Sequence, residues 1–216
     1  MWPDGSGVAV KVCGITRAAD AAACVRLGVW GIGFVFADAS PRRVGEREAA
    51  ALAGAVPATT ARVGVFVGAS PREMAAVARR VGLTHLQVHG DADPDAARAA
   101  SGLPVVQGIR VDGPAALDRA RASTADLVLL DAAVAGLHGG TGTTFDWSLL
   151  GSAGLGRPYA LAGGLRPGNV ADAVVRLRPS LVDVSSGVES APGEKDADLV
   201  AAFVAAVGGA RRKALA

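Results

Sequence analysis

The chain has 216 residues, which suffices for one large domain or two small ones and for a substantial buried core. Half of the residues are hydrophobic and only 4% are aromatic, so the core must be built mainly from Val, Ala and Leu. Lys and Arg number 22 against 20 Asp and Glu, and this near balance excludes the strongly charged surfaces typical of proteins that bind nucleic acids or membranes.

The cysteine content and the apolar runs indicate the compartment of the protein. Only two cysteines are present. The start of the chain lacks the apolar segment of a secretory signal, and no apolar run approaches the roughly 18 residues of a membrane-spanning helix. These features predict a soluble, reduced, cytoplasmic protein.

Apolar runs of strand length alternate along the chain with segments of helical spacing. The strands are predicted at residues 8–13, 30–36, 62–67, 85–89, 105–110, 127–131, 159–162 and 181–185. The helices are predicted at residues 18–27, 46–53, 71–80, 94–100, 114–122, 147–150, 169–177 and 196–207. The strands are almost continuously apolar, which is typical of parallel strands buried on both faces. Eight strand-helix units without a linker predict an α/β fold, a single-domain (β/α)8 TIM barrel with eight parallel strands spanning residues 1–216.

The active site of such a barrel lies at the carboxyl ends of its strands, so the residues that end the strands are the first candidates. Cys13 ends the first strand, and Gly14 and Thr16 then turn the chain into a helix. Lys11 shares a strand face with Cys13, and with the following helix N-terminus it is expected to favour the thiolate. The alternative reading is a small buried hydrophobe, as expected for Cys24.

Two further acidic residues end or lie on buried strands. Asp131 follows four apolar residues, and burial there predicts a raised pKa and a general acid. An Asp that only caps the following loop fits the spacing equally well. Asp183 lies on the eighth strand, which adjoins the first strand once the barrel closes, so Asp183 is expected to pair with Lys11.

Glycine-rich segments follow the seventh and eighth strands. Gly163 and Gly164 follow one, and Ser186 and Gly187 follow the other. Backbone N–H groups after these two strands form the recurring phosphate site of this fold, so both loops are predicted to bind phosphate. The glycine-rich run at 139–144 lacks the lysine of a P-loop and is interpreted as a mobile binding loop.

The remaining candidates are one arginine and the histidines. Arg42 lies in the long loop after the second strand and is suited to bind a carboxylate through two hydrogen bonds, although its spacing alone fits a solvent-exposed side chain. His89 ends the fourth strand and is a candidate substrate contact. His85 lies about 13 Å from His89 along the strand, too far to share a metal ion, and no other metal-ligand spacing is found.

Taken together, these motifs resemble the phosphoribosylanthranilate isomerase family of tryptophan biosynthesis. The matching segments extend over almost the whole chain: 11–16, 33–36 with 40–42, 63–67, 86–90, 129–131, 139–142 with 144–147, 163–165 with 169–170, and 182–189 with 192–193 and 195–196. The resemblance implies an Amadori rearrangement of N-(5-phosphoribosyl)anthranilate without a cofactor. It implies Cys13 as general base, Asp131 as general acid and Arg42 as the contact of the anthranilate carboxylate, with phosphate bound by the residues of the two glycine-rich loops.

The implied partner is thus a small sugar phosphate, and both a monomer and a homodimer stay open. The chain departs from the family pattern at Thr143, where a lysine is usual, and this puts in doubt how the loop after the sixth strand closes over the substrate. Two other readings remain. One is the related isomerase of histidine biosynthesis, which resembles a two-phosphate binder with a carboxylate in place of Cys13. The other is a ligand-binding barrel without catalysis.

Overall fold

The computed structural model describes residues 7–131 and 155–214, and in these ranges eight parallel strands close into a barrel in sequence order. The strands are β1 (Ala9–Cys13), β2 (Gly31–Val35), β3 (Ala61–Val67), β4 (His85–His89), β5 (Val105–Arg110), β6 (Leu127–Asp131), β7 (Tyr159–Ala162) and β8 (Leu181–Val184). The helices are α1 (Ala18–Arg26), α2 (Glu46–Gly54), α3 (Pro71–Val81), α4 (Pro94–Ser101), α5 (Ala115–Ala122), α6 (Val170–Leu177) and α7 (Ala197–Ala214). The predicted (β/α)8 architecture is confirmed.

Side-chain alternation along the strands separates the barrel interior from the helical layer. In β1, Val10 and Val12 belong to the large apolar core between strands and helices, whereas Lys11 and Cys13 lie on the opposite face. The interior is filled in its lower part by a second apolar cluster that includes Leu127, Leu129, Ala160 and Leu181. Because this lower interior is closed by packed side chains, any ligand must enter from the carboxyl ends of the strands.

The helix ends follow the local sequence. Ser70 caps α3, since its Oγ accepts a hydrogen bond from the Glu73 N–H while the Glu73 carboxylate accepts one from the Ser70 N–H at 2.8 Å. Gly82 ends this helix with φ of +74°, a conformation that favours glycine. Such signals explain why the predicted helix at 71–80 agrees with α3 to within one residue.

Some elements differ from the sequence predictions or lie outside the described residues. After β8 the chain forms a one-turn 3-10 helix (Ser186–Val188) and an antiparallel hairpin of β9 (Glu189–Ala191) and β10 (Glu194–Lys195), none of which was predicted. α7 extends to Ala214, seven residues beyond the predicted end at 207. Several predicted features lie outside the described residues: the helix at 147–150, the long loop at 132–146, the glycine-rich run at 139–144 and Thr143. Among the helices that the structure describes, none is long and apolar enough to cross a membrane.

Candidate functional site

A cavity of about 270 Å³ opens at the carboxyl ends of the barrel strands. Seven of the eight predicted catalytic and substrate-binding residues line it: Cys13, His89, Asp131, Gly163, Gly164, Ser186 and Gly187. The eighth, Arg42, does not. Val65, Gln87, Leu129 and Asp183 complete much of the wall. The closed barrel thus brings together residues that are up to 174 positions apart in the chain, and it does so around one space.

The predicted pairing of Lys11 with Asp183 is confirmed. β1 and β8 are neighbours, Lys11 lies opposite Asp183 in their register, and Lys11 Nζ donates a hydrogen bond to Asp183 Oδ2 at 2.8 Å. Only 2% of Lys11 and 7% of Asp183 is exposed. Burial by itself lowers the pKa of Lys11, but the Asp183 carboxylate and the neighbouring Cys13 raise it above its usual value, so the ammonium is retained.

The thiol of Cys13 is almost fully enclosed beside this ion pair. Burial raises the pKa of Cys13 above its ordinary value of 9.0, and the nearby Lys11 ammonium only partly opposes this effect. Lys11 thus favours the thiolate, as expected, but burial outweighs its effect and the pKa of Cys13 is raised overall. The strand end was recognised from the sequence, but the depth at which the barrel encloses the thiol was not.

His89 lies across the cavity on β4 and is held by a neighbour on the same strand. Its Nε2 lies 2.8 Å from the Gln87 amide nitrogen, so the ring accepts this hydrogen bond when its proton is on Nδ1. Burial lowers the pKa of His89, which favours the neutral ring. The ring packs over Gly108 of β5, where a Cβ would overlap it. Gly108 therefore makes room for the His89 side chain.

Asp131 ends β6 between β5 and β7, aligned with Arg110 and Ala162. Its side chain is half-buried and lines the cavity. Its backbone carbonyl accepts a hydrogen bond from the Val111 N–H at 2.9 Å, which fixes the end of the strand. The carboxylate thus faces the space that Cys13 also faces, and an acid and a base at this cavity can act on one bound molecule.

The loops after β7 and β8 meet at the cavity wall. Gly163 and Gly164 have φ values of +91° and +64°, which favour glycine. A Cβ on Gly187 would overlap the carbonyl oxygen of Leu165, so the two loops approach each other as closely as backbones allow. Asn169 fixes the first loop by accepting from the Arg166 N–H at 2.8 Å and donating to the Gly164 carbonyl at 3.0 Å.

Arg42 lies at the rim of the cavity and does not line it. Its stem covers Gly14, since a Cβ on Gly14 would lie 2.6 Å from Arg42 Cδ. Its guanidinium donates to both oxygens of Glu189, from Nε at 2.8 Å and from Nη2 at 2.6 Å. Lys195 Nζ donates to the same carboxylate at 2.6 Å. Arg42 is therefore fixed next to the Cys13 loop rather than dispersed in solvent.

Sequence reasoning missed several residues that shape the site. Gln87 lies two residues before His89 on the same face of β4. Because side chains two residues apart on a strand share a face, the position of His89 could have identified Gln87. Glu189 and Lys195 belong to the unpredicted hairpin, and nothing in their local sequence indicated that they meet Arg42. Among the described residues, no group of three or more His, Cys, Asp or Glu is placed to hold a metal ion.

Comparison with known proteins identifies the family. The family model described as N-(5'phosphoribosyl)anthranilate (PRA) isomerase matches residues 10–206. The N-(5'-phosphoribosyl)anthranilate isomerase of Myxococcus xanthus is 49% identical over 92% of this chain and 95% of its own length, and that of Rubrobacter xylanophilus is 46% identical over 91% and 97%.

Solved structures agree with this assignment. The phosphoribosyl anthranilate isomerase of Thermotoga maritima superposes with a TM-score of 0.85 at 37% identity, covering 94% of this chain and 99% of that one. A second structure, solved in complex with reduced 1-(o-carboxyphenylamino)-1-deoxyribulose 5-phosphate, has a TM-score of 0.80 at 36% identity over the same shares of the two chains. The chain therefore belongs to the phosphoribosylanthranilate isomerase family.

Proposed function

We propose that this protein catalyses the Amadori rearrangement of N-(5-phosphoribosyl)anthranilate to 1-(2-carboxyphenylamino)-1-deoxy-D-ribulose 5-phosphate in tryptophan biosynthesis. The observation that carries the proposal is that one cavity holds both a thiol and a carboxylate beside two glycine-rich loops. The names of the relatives, and the product analogue in one related structure, support the same substrate.

The phosphate group of the substrate is assigned to the loops after β7 and β8. Gly163, Gly164, Ser186 and Gly187 line this part of the cavity. Close-packed glycine loops can present backbone N–H groups to an anion without obstruction by side chains. With the phosphate held there, the ribose lies over the cavity between Cys13 and Asp131.

Asp131 is assigned as the general acid and Cys13 as the general base. Asp131 gives its proton to the furanose ring oxygen, the C1–O bond breaks, and the nitrogen lone pair forms a Schiff base at C1. The Cys13 thiolate then removes the C2 proton, and the C2 electrons neutralise the iminium nitrogen to give an enol. The enol becomes the ketone when C1 takes up a proton and the C2 hydroxyl loses one. The reaction needs only proton transfers, so no cofactor is required.

Lys11 and Asp183 support the base, and Asp183 also lines the cavity. The Lys11 ammonium opposes the effect of burial on Cys13 and stabilises the thiolate when it forms. Oδ2 of Asp183 accepts from Lys11, whereas Oδ1 is buried and has no hydrogen-bond partner among residues 7–131 and 155–214. We assign Oδ1 as the acceptor for a ribose hydroxyl, since a buried acceptor without a partner is costly.

Arg42 is assigned as the contact of the anthranilate carboxylate, and His89 as a neutral contact to the substrate from the opposite wall. A guanidinium carries five N–H donors, and Glu189 takes only two of those of Arg42, one on Nε and one on Nη2. The end formed by Nη1 and Nη2 therefore remains for a second carboxylate, in the paired geometry that arginine favours.

The test of this function is a direct assay of the rearrangement. Freshly generated N-(5-phosphoribosyl)anthranilate is mixed with the purified protein, and the loss of its fluorescence is followed against a sample without protein. We expect rapid loss together with a product that has the mass of the substrate. Loss at the background rate with release of free anthranilate, which marks spontaneous breakdown, would contradict the proposal.

A further inference from the structure

The side chains of Arg42, Glu189 and Lys195 form a compact cluster at the rim of the cavity, which we call the rim cluster. The Glu189 carboxylate accepts from Arg42 through two hydrogen bonds and from Lys195 through a third, and the Gly193 N–H adds a fourth at 3.2 Å. Only 5% of the Glu189 side chain and 1% of the Lys195 side chain are exposed, against 22% for Arg42. Two members of the cluster are thus buried behind the one that reaches the rim.

The charges of the rim cluster do not cancel. Burial by itself raises the pKa of Glu189, but the hydrogen bonds from Arg42 and Lys195 hold it below its usual value, so the carboxylate is ionised. Burial lowers the pKa of Lys195, and the hydrogen bond to the Glu189 carboxylate opposes this effect. With Lys195 protonated, one carboxylate shared by two cations leaves one positive charge in excess. If Lys195 were absent, Glu189 would neutralise Arg42 and would repel a second carboxylate brought to the same guanidinium.

The hydrogen-bond geometry also fixes the direction in which Arg42 points. Glu189 holds the guanidinium along the edge formed by Nε and Nη2, while Nη1 has no hydrogen bond to any residue in the described part of the chain. Two parallel hydrogen bonds hold the plane of a guanidinium as well as its position. Lys195 in turn donates to the Ser185 carbonyl at 3.3 Å, and Ser185 Oγ donates to the Cys13 carbonyl at 3.0 Å. The rim cluster is thereby tied to the strand end that carries Cys13.

From these contacts we infer that Glu189 and Lys195 are positioning residues for recognition of the substrate's carboxylate. Glu189 orients the free end of Arg42, and Lys195 supplies the positive charge that keeps Arg42 attractive to a second carboxylate. The inference rests on the proposed function, because it takes Arg42 as the contact of the anthranilate carboxylate. It adds that this recognition depends on a hairpin that contributes no residue to the cavity wall.

The experiment compares two ligands that differ only in the carboxylate. One is reduced 1-(2-carboxyphenylamino)-1-deoxyribulose 5-phosphate, and the other is the same compound with an unsubstituted phenylamino group. Binding of each is measured by titration calorimetry to the wild type, to Lys195→Met and to Glu189→Asp. Lys195→Met removes the extra charge, and Glu189→Asp retracts the carboxylate from Arg42 by one methylene while still balancing Lys195.

Both variants should weaken the binding of the carboxylate-bearing ligand by about tenfold in Kd, the size expected for one charge-assisted hydrogen bond. The ligand without the carboxylate should change by less than about twofold in the same variants. In steady-state kinetics, both variants should raise KM and leave kcat nearly unchanged. Glu194→Gln is the matched control, because Glu194 lies on the same hairpin but pairs outward with Arg17 at 2.7 Å, and both ligands should bind it as they bind the wild type.

Equal losses for the two ligands would overturn the inference, because they would show a merely structural role. Unchanged binding in both variants would overturn it as well. Melting curves show whether each variant is folded. If Lys195→Met does not fold, the two ligands are compared with Glu189→Asp alone, which retains every charge. A wild type that binds the carboxylate ligand in preference but does not isomerise the substrate would overturn the proposed function and would leave the inference about the rim cluster supported.

Discussion

The Cys13 thiol illustrates how burial and one charged neighbour, with opposite effects on its pKa, decide the chemistry of a residue. Burial raises its pKa and Lys11 partly opposes that rise. Because the thiolate is the form that removes a proton, a raised pKa means that kcat/KM should increase as the pH rises through and above neutrality. The same dependence is expected of the rate at which iodoacetamide modifies Cys13, which can be followed by mass spectrometry.

The Lys11–Asp183 pair gives a test of this dependence. Replacing both residues, as Lys11→Met with Asp183→Asn, removes the cation that stabilises the thiolate and leaves no lone buried charge behind. The rising limb of kcat/KM against pH should move to higher pH than in the wild type. The position of the limb, rather than the height of the curve, is the measure, because Asp183 also lines the cavity. A limb at the wild-type position would contradict the role given to Lys11.

The loops after β7 and β8 show what the elements add to the residues. Gly187 lies where a side chain would overlap the Leu165 carbonyl, so Gly187→Ala should force the two loops apart. We expect a loss of stability of about 1–3 kcal/mol, as for overpacked sites, and a higher KM for the substrate. Gly168→Ala is the matched control, since Gly168 follows β7 in the same region and a Cβ added there would meet no atom within 4 Å. Thermal unfolding measures the loss of stability, and affinity for inorganic phosphate measures the damage to the anion site. Equal phosphate affinity of the two variants would argue against the assigned phosphate site.

The limits of sequence reasoning also appear at the scale of elements. β4 and α3 were predicted almost to the residue, because apolar runs of strand length and segments of helical spacing are local signals. The hairpin of β9 and β10 was not predicted, since its strands have three and two residues and its partners lie far away in the chain. Glu189 meets Arg42 across 147 positions, and no local pattern encodes such a contact. Residues at strand ends could thus be assigned from the sequence, whereas those that hold them in place could not.

At the scale of the whole molecule, closure of the barrel brings residues from distant strands together in one site. The pairing of β1 with β8 brings Lys11 to Asp183 across 172 positions, and the sequence could predict this because closure makes the first and last strands neighbours. How deeply Cys13 would be buried, and hence the direction of its pKa shift, depends on the packing of all eight strands. The depth of burial is a property of the whole barrel. The position of Cys13 at a strand end, beside Lys11, suggested a lowered pKa, whereas burial raises it.

The stability of the barrel should fall in mild acid because of His85. The side chain is 2% exposed, packs edge to face against Trp30, and burial lowers its pKa from 6.5 to about 4. Between these values the unfolded chain binds a proton that the folded protein does not, so the free energy of unfolding decreases as the pH falls from 6.5 towards 4. The decrease amounts to about 3 kcal/mol at most.

His85→Gln separates this effect from the titration of carboxylates. Urea unfolding of the wild type and of the variant, each measured at several pH values, should give curves that diverge in their slope with pH between 6.5 and 4. The carboxylates contribute equally to both proteins and cancel in the comparison. Parallel curves over this range would show that His85 is not the group responsible.

The central claim is that Cys13 and Asp131 act as base and acid on one bound sugar phosphate, and turnover of single-site variants tests it most directly. The kcat of Cys13→Ser, Asp131→Asn and Cys24→Ser is measured by the loss of substrate fluorescence, with binding of the reduced product analogue as a check on the site. The account predicts that the first two lose at least about 100-fold in kcat while still binding the analogue. It predicts that Cys24→Ser, which changes a buried thiol of α1 away from the cavity, stays near the wild-type rate. Near-normal turnover by Cys13→Ser or Asp131→Asn would contradict the account.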